Sequence, residues 1–176
     1  LHPVKGYSDL LHALAQLPEQ INGRVLHLVI AGDGPLAGAL HQQARQLGLQ
    51  QRVHWAGWQR DPSAYYQLAD LFICPSRYEP LGNVVLEAWA QGCSVLSTAS
   101  AGPSEIGQHG ETLWLTPIEH PTELAHGIRR LLEDADLRQH LAIQGQQQVS
   151  QHYSPEVIVG QYLQMYRNLL EHGRVA

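Results

Sequence analysis

The sequence of 176 residues predicts an α/β fold: a doubly wound parallel sheet with helices on both faces and a helical C-terminal part. Three observations carry this. Short apolar runs alternate with stretches of helical periodicity between residues 25 and 115, the pattern of βαβ units. The runs are apolar almost throughout, as strands covered on both faces are, instead of alternating in and out. From Pro121 onward only helical periodicity is present.

The elements follow in order. Residues 7–17 read as a first helix with no strand before it. A strand over 25–31 ends at Gly32-Asp33-Gly34-Pro35, and Pro35 suits the first position of the next helix, which runs to Leu47. A second strand covers 53–56 and stops at Gly57. A short helix over 62–68 leads to a third strand at 71–75. The next helix starts near Asn83 and is closed by Gly92 at the usual C-terminal capping place. A fourth strand at 94–98 and a weaker fifth at 112–115 precede three helices at 121–133, 135–150 and 155–171. All 176 residues form one domain, and the C-terminal helices belong to it.

Composition excludes several classes of function. The net charge of −5, with eleven Lys and Arg in no basic run, argues against a nucleic-acid partner. No apolar stretch reaches the 18 or so residues of a membrane span. Cys74 and Cys93 have neither disulfide-framework nor zinc spacing, which fits a reducing cytoplasm. The eleven histidines form no H-x-x-x-H or H-x-H pair, so no metal site is expected. The start at Leu1, without a signal-like segment, suggests a piece of a longer protein.

The segment from Ser76 to Gly92 is the most informative. Glu79 and Glu87 have seven residues between them, with Gly82-Asn83 where a helix should begin. The residues around Glu87 are apolar on nearly every side, which predicts a buried helix and hence a buried carboxylate in need of a partner. A helix starting near Asn83 leaves the amides of Val84, Val85 and Leu86 without intrahelical acceptors, an anion site helped by the dipole. Gly82 lets an anion approach closely. Glu87 would then face a diol beside that anion, the combination found in a nucleotide. The residues leave a second reading open, in which Asn83 caps the helix and Glu87 pairs with a buried Arg.

Other segments lie on the same expected ligand edge, at the carboxyl ends of the strands. Lys5, before a helix, suits a diphosphate as a point charge, or is an ordinary solvated lysine. Ala31 to Ala37 reads G-x-G-x-x-A after a strand, but the strand at 53–57 lacks the acid that a dinucleotide fingerprint needs. Trp58-Gln59-Arg60 offers a stacking ring or backbone contacts, or simply a partly buried Trp. Ala101 to Glu105 is another edge loop, or turn chemistry before a short helix. Hydrolase elbows and metal-ligand clusters are missing from the sequence.

Taken in order, Lys5-Gly6, Ala31-Gly-Asp-Gly-Pro35, the Val53-x-x-x-Gly57 strand, Pro75-Ser76-x-x-Glu79-Pro-Leu-Gly82-Asn-Val-Val-Leu-Glu87-Ala88 and Gly102-x-x-Glu105-Ile106 resemble a known pattern. It is that of the carboxyl-terminal, donor-binding domain of retaining GT-B glycosyltransferases, family 4, group 1. The resemblance covers nearly the whole chain and implies a Rossmann-like half of a GT-B fold, with the amino-terminal acceptor domain outside these residues. It implies that Glu87 holds the ribose hydroxyls and that Glu79 lies beside the donor sugar. The amides from Leu81 through Gly82 and Asn83 to Val84 would meet the distal phosphate and sugar hydroxyls. Lys5 would bind the diphosphate and stabilise the leaving group, and Gly32, Trp58, Gln59 and Arg60 would lie on the donor side, the last three near the base. Lys5 and Glu79 are thus the expected catalytic pair.

The family's usual Arg five residues before the Lys would fall just before Leu1. Pro80-Leu81 stands where Gly-Phe is commoner, a variant resembling some bacterial envelope-sugar enzymes and pointing to lipopolysaccharide biosynthesis. The implied partners are a nucleotide-sugar donor and a hydroxyl acceptor, with no metal and no cofactor. The implied location is the cytoplasm, with peripheral association at the inner membrane. Alternatives are a sugar-nucleotide epimerase of the same fold, a non-catalytic nucleotide-binding module, and, weakened by the absent ribose acid, a dinucleotide oxidoreductase.

Overall fold

The computed structural model describes residues 1–172. A 3-10 turn over Pro3–Lys5 enters α1 (Tyr7–Gln16), followed by a small antiparallel hairpin, β1 (Gln20–Ile21) with β2 (Arg24–Val25). Then come β3 (Leu28–Ala31), α2 (Ala37–Gln46), β4 (Val53–Gly57), α3 (Ser63–Leu68), β5 (Phe72–Cys74), α4 (Asn83–Ala90) and β6 (Val95–Thr98). The chain continues through α5 (Ala101–Ile106), β7 (Trp114–Thr116), α6 (Pro121–Glu133), α7 (Ala135–His152) and α8 (Pro155–His172).

The parallel pairing expected from the apolar runs is present in two sheets. β3 pairs with β4, and β5, β6 and β7 form a second ladder in that order. Helices separate the strands, as parallel crossovers require.

Several boundaries shift by one or two residues, and three differences matter more. The first strand begins at Leu28 and not at residue 25, because Asn22 (φ 52°) and Gly23 (φ 75°) reverse the chain into the β1–β2 hairpin. Asn-Gly at such a turn is a strong hairpin signal. Pro35 is not the first helical residue: Leu36 is the N-cap of α2, its amide donating to Leu1 O (3.2 Å). The loop at 101–105 is itself the helix α5.

Two apolar cores hold the layers. In one, Leu10, Leu11 and Leu14 of α1 meet Leu124, Ile128 and Leu131 of α6 over Ile30 and Val53. In the other, Val85, Ala88 and Trp89 of α4 pack with Cys74, Val95 and Leu113. Gly145 of α7 gives Trp89 its space, since a Cβ there would lie 2.2 Å from the indole Cδ1. The far half of α8 is exposed, including Leu163, Tyr166 and Leu169. Among the described residues no helix is long and apolar enough to cross a membrane.

Candidate functional site

Gly6 begins the site. Its left-handed backbone (φ 66°) closes the 3-10 turn and caps α1 at once, a conformation glycine adopts without steric cost. It also lies against the end of β5 so closely that an added Cβ would sit 1.9 Å from Pro75 O. Next to it, Val4 O accepts from the amides of Arg77 (2.8 Å) and Tyr78 (3.2 Å). The turn bearing Lys5 is thereby fastened to the loop that follows β5.

That loop carries Glu79, whose side chain is 10% exposed. Lys5 Nζ donates to Glu79 Oε2 at 2.5 Å, with the lysine side chain still 41% exposed. A carboxylate this deep needs a charge-assisted partner, and the ammonium supplies one. The main chain of Glu79 accepts from Gly102 N at 2.8 Å. Gly102 must lack a side chain, because a Cβ would lie 2.5 Å from Leu81 C. The loops after β5 and β6 therefore meet at Leu81 and Gly82.

Gly82 (φ 84°) is the N-cap of α4, and Asn83 is the first helical residue, with no side-chain capping bond. The capping role that residue types allowed for Asn83 is thus corrected. The amides of Val85 and Leu86 are also not free as expected: both donate to Gly82 O, at 2.8 and 3.1 Å. Among the described residues, the N–H groups of Leu81, Gly82, Asn83 and Val84 donate to no protein acceptor. Those four are the ones the resemblance had named. Leu81, which stands where Phe is commoner, is 57% exposed.

Glu87 is corrected too. α4 buries Val85, Ala88 and Trp89 but turns Glu87 and Ala90 outward, so the buried carboxylate of this segment is Glu79. The helix is one-sided despite its apolar sequence: over its 8 residues, about two turns, only the Val85, Ala88 and Trp89 face meets the core. Among the described residues Glu87 pairs with no Arg: its Oε2 accepts from Tyr66 Oη at 3.0 Å. Burial, and then the charge of Glu87, push the Tyr66 phenol up, so the hydroxyl stays a donor.

A second group of residues gathers at the ends of β3 and β4. Gly32 N donates to Gly57 O (2.6 Å), and Gly34 is so near Leu1 that a Cβ would lie 2.0 Å from its nitrogen. The main-chain nitrogen of Leu1 donates to Asp33 O. Trp58 stands 72% exposed, Arg60 is exposed, and Gln59 turns back to Ala56 O at 2.7 Å. Asp61, its carboxyl held below the usual range by hydrogen bonds from Ser63, anchors the start of α3. Residues 1–5 join the two groups, with Leu1 in one and Lys5 in the other.

Sequence reasoning quoted Gly6 and Gly102 in the family pattern without giving either a role, and it missed Tyr66 and Arg77. Gly6 and Gly102 carried a signal, since each lies next to a residue singled out for other reasons. Tyr66 and Arg77 carried none, since their partners Glu87 and Asp9 are 21 and 68 positions away.

Parallel strands separated by helices, with loops gathered at their ends, form the α/β fold that this chain shares with GT-B glycosyltransferases. Anabaena Alr3699/HepE, solved in complex with UDP and glucose, superposes with a TM-score of 0.88 at 30% identity, over 96% of this chain and 46% of that one. The C-terminal domain of a glycosyl transferase group 1 family protein (LpcC) from Francisella tularensis shares the fold. Its TM-score is 0.77 at 24% identity, over 88% of this chain and 83% of that one. The family model for group 1 glycosyl transferases matches residues 1–148, and the chain belongs to that family. The lipopolysaccharide core biosynthesis glycosyltransferase LpsE of Rhizobium meliloti (strain 1021) is 38% identical over 161 residues, 92% of this chain and 46% of that protein. The chain spans about half the length of the curated relatives it matches.

Proposed function

We propose that this chain is the donor-binding half of a retaining, family 4 transferase that moves a hexose-type sugar from a nucleotide-sugar to a hydroxyl. The observation that carries the proposal is the convergence of Lys5, Glu79 and the four unpaired amides of Leu81 to Val84 at one sheet edge, in a group 1 glycosyl transferase. A nucleotide-sugar ends in a diphosphate linked to a polyhydroxyl ring, and these groups match both parts.

The chemistry follows from the charges. As the bond from the sugar's anomeric carbon to the diphosphate breaks, the diphosphate leaves with the bonding pair. The acceptor oxygen bonds to the same carbon, and its proton passes to the departing diphosphate oxygen. Charge grows on the diphosphate, where stabilisation is worth most. Lys5 has three N–H donors, and Glu79 takes one. The other two are available to phosphate oxygens, while the α4 start adds its amides and dipole. Glu79 accepts from a sugar hydroxyl, and Glu87 with Tyr66 faces the ribose. Gly32 and the Trp58–Arg60 segment lie toward the base.

On this reading the acceptor is held mainly by a further domain of the full-length protein. The names of LpsE and of LpsD from the same organism support a role in lipopolysaccharide assembly, in the cytoplasm at the inner face of the membrane. The isolated 176 residues bind donor weakly and turn over nothing. Isothermal titration of UDP-, GDP- and ADP-sugars against this chain and the full-length parent tests the proposal. It predicts binding of one nucleotide class to both; binding of none to either would overturn it.

A further inference from the structure

Arg77 lies outside the donor-facing set, yet it ties together the two segments that carry Lys5 and Glu79. Its Nε and Nη2 donate to Oδ2 and Oδ1 of Asp9, in the first turn of α1, at 2.8 and 2.9 Å. Its Nη1 lies 2.7 Å from Glu119 Oε1, in the loop after β7. Its main-chain amide donates to Val4 O at 2.8 Å, one residue before Lys5, and Glu79 follows two residues after it. One residue thus fixes the lysine's turn against the carboxylate's loop through both its backbone and its side chain.

With both faces of the guanidinium fork on carboxylates, little of it remains for a phosphate, so Arg77 is poorly placed to be a ligand. Its side chain is 39% exposed, and exposed ion pairs add little to stability. The planar fork does add fixed geometry, which a lysine cannot reproduce. Glu119 holds a positive φ of 60°, uncommon outside glycine, at the position that meets Arg77.

We propose that Arg77 is a positioning residue: by clamping Asp9 and Val4 it sets Lys5 where its remaining N–H groups meet the diphosphate of a nucleotide. This rests on the donor-binding function proposed above. A clamp of this kind acts on phosphate contacts and not on contacts to the base, and its whole effect passes through Lys5.

The test titrates this chain with whichever of UDP, GDP or ADP the wild type binds, and follows the parent nucleoside by NMR shift perturbation. Arg77→Ala is expected to weaken the diphosphate roughly tenfold and to leave the nucleoside unchanged within about twofold. Lys5→Ala weakens the diphosphate at least as much, and adding Arg77→Ala to it costs nothing further. Arg77→Lys recovers only part of the loss, and Asp9→Asn, which leaves Arg77 in place, weakens diphosphate binding in the same selective way. Unchanged diphosphate binding by Arg77→Ala overturns the proposal, as does equal loss of diphosphate and nucleoside, or an effect that multiplies with that of Lys5→Ala. Should Arg77→Ala fail to fold, Asp9→Asn and Arg77→Lys decide by the same criteria. A wild-type chain that binds none of the three nucleotides refutes this proposal, and if the full-length parent binds none either, the donor-binding function falls with it.

Discussion

Replacing three glycines by alanine separates the forces that hold the Lys5 turn in place. At Gly6 the backbone is left-handed (φ 66°), and a Cβ would meet Pro75 O at 1.9 Å. The conformation costs a residue with a Cβ roughly 1–2 kcal/mol, and forcing atoms into a filled space costs about 1–3 kcal/mol more. The sum of roughly 2–5 kcal/mol is a large part of the 5–15 kcal/mol that stabilises a typical domain. Gly23 is also left-handed (φ 75°) but has nothing within 4 Å of the added Cβ, so only the conformational part applies. Gly38, inside α2 with open space around it, carries neither penalty, and alanine there gains up to about 1 kcal/mol of helix propensity. For a chain of this size each kcal/mol moves Tm by roughly 2–4 °C. Calorimetry should therefore rank Gly38→Ala above wild type, Gly23→Ala a few degrees below it, and Gly6→Ala about 10 °C below. Equal Tm values for Gly6→Ala and Gly23→Ala would refute the claim that close approach to β5 holds the lysine turn.

Two further outcomes follow from the geometry. Burial pushes the Cys93 thiol up from 9.0 to about 11, so the folded chain keeps a proton that the unfolded chain releases first. Stability from this group is complete below pH 9 and is lost as pH rises to 11. Urea unfolding should show a loss on the order of 2 kcal/mol across that window, absent in Cys93→Ala. Asp134 caps α7, its side chain accepting from Leu137 N at 2.9 Å, so Asp134→Ala should lower stability by about 1 kcal/mol in the same assay.

Much of the fold was legible because local periodicity and turn chemistry decide it. The helix at 121–133 appears with those bounds, opened by Pro121, and α4 starts at Asn83 with Gly92 left-handed just past its end (φ 70°). The β1–β2 hairpin was equally legible in Asn22-Gly23, but Val25 was read as the start of the next strand instead of as the hairpin's second arm. At the site, the residue types were readable and their surroundings were not. Glu87 sits among apolar neighbours in sequence, yet the helix turns it outward. Glu79 sits in a polar loop and is buried.

By itself the sequence determined the alternation of strands and helices, the helix start at Gly82-Asn83, and the pattern of residues shared with donor-binding domains. These depend on spacing along the chain, which three-dimensional packing does not alter. Only the tertiary structure decided which carboxylate is buried, that Lys5 meets Glu79 across 74 positions, and that Arg77 joins Asp9 to Glu119. Those pairings arise where loops from separate strands converge, and no local periodicity encodes the distance between two loops.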